Sequence, residues 1–124
     1  MNKLTREQSR VLKEKGTEPA GSGKLLHNKT SGAYHCAQCG TLLFKSETKF
    51  DSGSGWPSFY DVVKENIKLE EDNSMGIQRT EVICKKCGGH LGHLFNDAPQ
   101  TPTGNRYCIN SLTLDFKKTK KFTS

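Results

Sequence analysis

No stretch of the 124 residues is long and apolar enough to cross a bilayer. The opening Met1-Asn2-Lys3-Leu4-Thr5-Arg6-Glu7 also lacks the apolar core of a secretory signal, so a cytoplasmic setting is expected. Apolar residues are scarce throughout: they make up 32% of the chain, and the mean hydropathy is −0.71. A single domain spanning 1–124 therefore has a thin core, which a bound metal could supplement. There is no low-complexity segment and no internal repeat beyond two short cysteine pairs. Acidic residues are too few to balance the basic ones, and the formal charge is +6. Four metal-bound thiolates and one Zn²⁺ would bring that to about +4. Much of the excess lies in Lys117, Lys118, Lys120 and Lys121, in a basic tail (117–124) that reads as a solvated terminus. A monomer with no nucleic-acid or membrane partner is expected.

Cysteine is present in an uneven set of five. Cys36/Cys39 and Cys84/Cys87 form two C-x-x-C pairs, and Gly40 and Gly88 follow them where a tight metal knuckle needs positive φ. Reducing surroundings favour metal or catalytic cysteines over a disulfide framework. The pairs read as a Cys₄ site for one structural Zn²⁺ per chain, with sulfurs at about 2.3 Å. A compact alternative, Cys84, Cys87, His90 and His93, would leave the first pair unused. A redox role for either pair fits poorly, because neither precedes a helix in a βαβ setting.

Cys108 is then left over, in Arg106-Tyr107-Cys108-Ile109-Asn110-Ser111. In a strand Arg106, Cys108 and Asn110 share one face, continued by Leu112, Leu114 and Phe116. A cation beside a thiol raises its thiolate fraction. The only tryptophan, Trp56, follows Gly53-Ser54-Gly55 and precedes Pro57, in a loop able to present its ring to a sulfur or methyl group. His90 and His93 offer proton donors near pH 7.

The remaining chain is coarser to read. Thr5 with Gln8 forms a capping box opening a helix over Arg6–Lys15, and Gly16 is its expected left-handed stop. Thr17–Gly32 is an extended arm with a short strand at Leu25-Leu26, so that residues 1–30 hold helix and arm. Strands flank each knuckle, Glu65–Ser74 reads as an acidic connecting loop, and Ile77–Ile83 as a strand.

Taken together, Cys36-x-x-Cys39, Gly55-Trp56-Pro57-Ser58-Phe59, Arg79-Thr80-Glu81-Val82, Cys84-x-x-Cys87, His90-Leu91-Gly92-His93-Leu94-Phe95 and Arg106–Ser111 resemble the B-type peptide-methionine (R)-S-oxide reductases. The resemblance covers nearly the whole chain beyond the first thirty residues, in the family's order. It implies a mainly β fold: two small antiparallel sheets packed together, a short N-terminal helix and a Cys₄ zinc site remote from the active site. It also implies reduction of the R epimer of methionine sulfoxide in proteins, a repair activity. By position Cys108 would be the nucleophile, and Trp56, with Phe59 and Phe95, would bind substrate. His90, His93 and Asn110 would orient the sulfoxide oxygen or a water bonded to it, and Arg106 would favour the thiolate.

One position departs from the family. Many relatives carry a resolving cysteine where this chain has Ser54, and serine cannot form a disulfide. With four cysteines committed to metal, an external reductant, thioredoxin or another thiol, is expected to regenerate Cys108. A zinc-ribbon binding module would explain the knuckles and lysines but not the Cys108 strand or the Trp56 loop. A non-enzymatic regulator on the same fold would leave the histidine pair unexplained.

Overall fold

The computed structural model describes residues 3–73, 76 and 78–118. Helix α1 (Arg6–Glu14) starts where the capping box places it: the Thr5 hydroxyl accepts from Gln8 N at 3.1 Å, and the Gln8 side chain accepts from Thr5 N at 2.9 Å. Its apolar residues Val11 and Leu12 are buried. The left-handed stop falls on Lys15 (φ 57°) and not on Gly16. A Cβ at Gly16 would meet the movable guanidinium end of Arg10 at 2.7 Å and the Arg10 carbonyl at 3.1 Å.

The strands form two antiparallel sheets. The smaller has the order β2-β1-β9: β1 is Gly32–Cys36, β2 Leu42–Lys45 and β9 Leu114–Lys118. The larger runs β3-β4-β8-β7-β6-β5: β3 is Lys49–Phe50, β4 Ser58–Phe59, β5 Ile67–Asp72, β6 Arg79–Cys84, β7 His90–Phe95 and β8 Arg106–Ile109. Aromatic rings join the sheets. Tyr34 of β1 meets Phe59 of β4 edge-on at 5.0 Å, and Phe44 of β2 stacks on Phe59 at 4.3 Å. Those rings, with Leu43, Leu91 and Ile109, are fully buried and supply the core of a chain otherwise poor in apolar residues.

Four expectations are corrected. Leu25-Leu26 lies in a turn, with Leu26 N bonded to Gly23 O, and makes no strand. The acidic segment expected as a loop contains β5, which pairs along its whole length with β6. It is an edge strand with little buried surface, so charged residues suit it and the apolar alternation that marks a half-buried strand is missing. The shared face from Arg106 to Phe116 is interrupted: Ser111–Thr113 form a 3-10 turn, after which Leu114 and Phe116 belong to the other sheet. Lys117 and Lys118 are no tail, since they pair with Ala33 and Gly32. The rest of the expected tail (119–124), together with Ser74 and Ile77 from the ends of the expected loop and strand, lies outside the described residues.

Candidate metal centre and active site

Each cysteine pair sits in a hairpin turn built the same way. Gly40 N bonds Cys36 O and Gly88 N bonds Cys84 O, both at 2.8 Å, with φ 81° and 76° at the two glycines. One hairpin belongs to the smaller sheet and the other to the larger, so the four sulfurs join the sheets. They lie within 4.8 Å of one another. Cys36 and Cys87 Sγ are 3.6 Å apart, and Cys39 and Cys84 Sγ 3.5 Å. Sulfurs at about 2.3 Å from a tetrahedral ion are separated by about 3.8 Å, so the donors fit one soft divalent cation. Their crowding already separates their titration. Interaction with Cys84, then burial, pushes the Cys36 thiol up, while interaction with Cys36 draws the Cys84 thiol down. His90 and His93 take no part in this cluster.

Cys108 lies in the middle of a row across the larger sheet, paired with Ser58 of β4 on one side and His93 of β7 on the other. Directly opposed residues of antiparallel strands project to the same face, which brings serine, thiol and imidazole together. The close approach of β7 to β8 depends on Gly92, where a Cβ would lie 2.0 Å from Cys108 O. The thiol is 8% exposed, at a depression of about 80 Å³ lined by Trp56, His93, Phe95, Asn110, Thr17 and Arg79.

Arg106 Nη1 donates to Cys108 Sγ at 2.7 Å. Nε and Nη2 of the same guanidinium form a fork on Asp97, each at 2.9 Å, and its plane lies 4.5 Å from the Phe95 ring centre. The bond from Arg106 holds the Asp97 carboxyl below its ordinary range. Serine hydroxyls approach the sulfur from the other side: Ser54 Oγ at 3.4 Å and Ser58 Oγ at 3.6 Å. Ser54 thus stands beside the sulfur but carries no thiol.

The two histidines differ. His93 reaches the depression, and its Nε2 is fixed at 2.8 Å on Asp72. His90 is 3% exposed, does not line the depression, and bonds Glu81 through Nδ1 at 2.8 Å. Burial holds its pKa down, against the opposing bond to Glu81. A neutral ring giving its Nδ1 proton to a carboxylate has only a lone pair at Nε2, so it has no proton to donate there. Asn110 lines the site, but its Oδ1 accepts from Glu18 N at 3.0 Å and its Nδ2 donates to Leu91 O at 2.9 Å. Phe59 is in the core against Phe44, away from the depression, whereas Phe95 forms its floor under Arg106.

The SelR domain family matches residues 4–118. The chain belongs to this family. Peptide methionine sulfoxide reductase MsrB of Leptospira interrogans is 58% identical over 116 residues, 93% of this chain and 88% of that protein. The protein of the same name from Methanosarcina mazei is also 58% identical, over 93% of this chain and 82% of its own length. Mouse methionine-R-sulfoxide reductase B3, mitochondrial, is 56% identical over 92% of this chain and 45% of its own. Membership makes the chain an oxidoreductase of the peptide methionine sulfoxide reductase type. Among solved structures the Mis18 Yippee-like domain shares the fold, with a TM-score of 0.59 over 73% of this chain and 99% of that one, at 16% identity.

Sequence reasoning gave no role to Asp97, Asp72, Glu18 or, although it stands in a motif singled out above, Glu81. All four act through side chains or peptide groups that only the folded chain brings to the site, and none lies in a repeating pattern with the residue it contacts.

Proposed function

We propose that the protein reduces the R epimer of methionine sulfoxide in oxidised proteins and peptides, with Cys108 as nucleophile. The observation that carries this is the guanidinium of Arg106 bonded to a lightly exposed sulfur that faces Trp56 and His93 in one depression. A guanidinium complements a sulfur anion, the form that attacks. The substrate methyl group rests on the indole and its oxygen points toward His93, whose Nδ1 donates when the ring is charged. Oxygen passes from the substrate sulfur to Cys108: one sulfur–oxygen bond breaks, another forms, and methionine leaves a sulfenic acid behind. Asn110 acts through the position it gives the wall of the site, and His90 supports His93 from behind, at 5.4 Å between ring centres.

Regeneration falls to an external reductant, thioredoxin or a smaller thiol. Two thiols return Cys108 to its reduced state, yielding their disulfide and water, because the hydroxyl beside the sulfur cannot resolve the sulfenic acid. The Cys₄ cluster holds zinc, which ties the two sheets together and takes no part in turnover. The protein works as a monomer in the reducing cytoplasm. Turnover of the separated R and S epimers of an N-blocked methionine sulfoxide, with dithiothreitol and then with thioredoxin, tests this reading. Only the R epimer should be consumed; equal use of both, or of neither, would end it.

A further inference from the structure

Glu18, in the arm between α1 and β1, is 1% exposed, a costly position for a carboxylate, and of its two oxygens only Oε1 has a hydrogen-bond partner among the described residues. Its Oε1 accepts from Leu112 N at 3.0 Å, in the turn that follows the Cys108 strand. That side-chain bond fixes the peptide groups on either side of Glu18. Its N–H donates to Asn110 Oδ1 at 3.0 Å, and its carbonyl accepts from the Trp56 indole Nε1 at 2.9 Å. Two walls of the depression, coming from separate parts of the chain, are thus pinned to a single residue.

The neighbouring arm reinforces this contact. Gly21 N bonds Gly55 O at 2.7 Å, and a Cβ on Gly55 (φ 94°) would lie 2.8 Å from the Ala20 side chain. The loop that carries Trp56 therefore packs on the arm with no room for a side chain at that point. Thr17, just before Glu18, lines the depression itself.

We propose that Glu18 is a positioning residue, whose buried carboxylate anchors the arm so that its peptide groups set Trp56 and Asn110 at the correct distance from Cys108. The proposal rests on the reductase reading above. It assigns no chemical step to Glu18, which does not touch the reacting atoms.

The test compares wild type, Glu18→Ala and Glu18→Gln. Misplacing substrate-positioning groups by about 1 Å costs on the order of 10²-fold in rate, so Glu18→Ala should lose about that much kcat/KM on the R epimer. Alkylation of Cys108 by iodoacetamide should keep its wild-type rate, because the sulfur and Arg106 are not moved. Glu18→Gln retains an oxygen acceptor for Leu112 N and should recover most of the loss. Trp56 is the only tryptophan, so its emission reports this site alone and should shift to the red in Glu18→Ala. Wild-type kcat/KM and emission in a folded Glu18→Ala protein would overturn the proposal. If that variant does not fold, exchange of the single indole N–H in the wild-type protein decides: slow exchange supports the bond to Glu18, and exchange at the rate of free indole refutes it. Absence of R-epimer turnover by the wild type would instead overturn the reductase reading, and indole exchange would still report on the clamp.

Discussion

Arg106 is held at both ends: Nη1 donates to the Cys108 sulfur at 2.7 Å while Nε and Nη2 are locked on Asp97. A guanidinium so fixed loses little freedom when the sulfur becomes anionic, and its charge is already in place. Hydrogen bonds to charged groups are worth about 1.5–3 kcal/mol, which corresponds to roughly 10- to 150-fold in rate. Arg106→Met should therefore slow both alkylation of Cys108 at neutral pH and R-epimer turnover within that range. Arg106→Lys, which keeps charge but loses the fork, should recover only part.

Asp97 supplies the pH dependence. Its folded pKa is depressed by the bond from Arg106, so the fork is complete above the unfolded carboxylate value of about 3.9 and is lost as pH falls through the lower folded value. The melting temperature of wild type should exceed that of Asp97→Asn by a constant amount from neutral pH down to about pH 4. The difference should close only in stronger acid. A gap that closes near pH 6 would show that another group controls it.

Metal content separates structure from chemistry. One zinc per chain is expected by elemental analysis, and stripping it should unfold the protein or lower its melting temperature sharply, since structural zinc contributes folding free energy. Cys36→Ser and Cys84→Ser should lose the metal. Cys108→Ser should keep both metal and fold while turnover vanishes.

Phe59 and Phe95 should respond in opposite ways. Phe59 is fully buried and stacked on Phe44, so Phe59→Ala should cost about 3–5 kcal/mol of stability. Its turnover per folded molecule should stay near wild type at low temperature. Phe95→Ala should leave the melting temperature little changed and reduce kcat/KM, because it removes the surface on which Arg106 lies.

The cysteine pairs, their glycines and the capping box were readable because each depends on a short local spacing, and Cys108 because it is the one cysteine outside both pairs. The two-sheet architecture came through resemblance. What stayed hidden depended on tertiary contact. β5 carries charges as an edge strand does, and its amino acids resemble those of a loop. The distinction between His90 and His93 came from the carboxylates each meets, Glu81 and Asp72, which only the folded sheet brings to them. Phe59 and Trp56 lie three residues apart in one motif, yet one fills the core while the other faces the site.

Ser54 offers a gain-of-function test. Its hydroxyl stands 3.4 Å from Cys108 Sγ, so a sulfur there would be within reach of the sulfenic acid. Ser54→Cys should accumulate an internal disulfide with Cys108 after one turnover, identified by peptide mapping. Wild type should form none.

A single turnover without reductant, followed by dimedone labelling and mass mapping, gives the most direct reading of all. One equivalent of the R sulfoxide should release one equivalent of methionine and leave one dimedone adduct per chain, on Cys108, with the zinc retained. Methionine released with no adduct on Cys108, or with Cys108 found in a disulfide to Cys36, Cys39, Cys84 or Cys87, would contradict it.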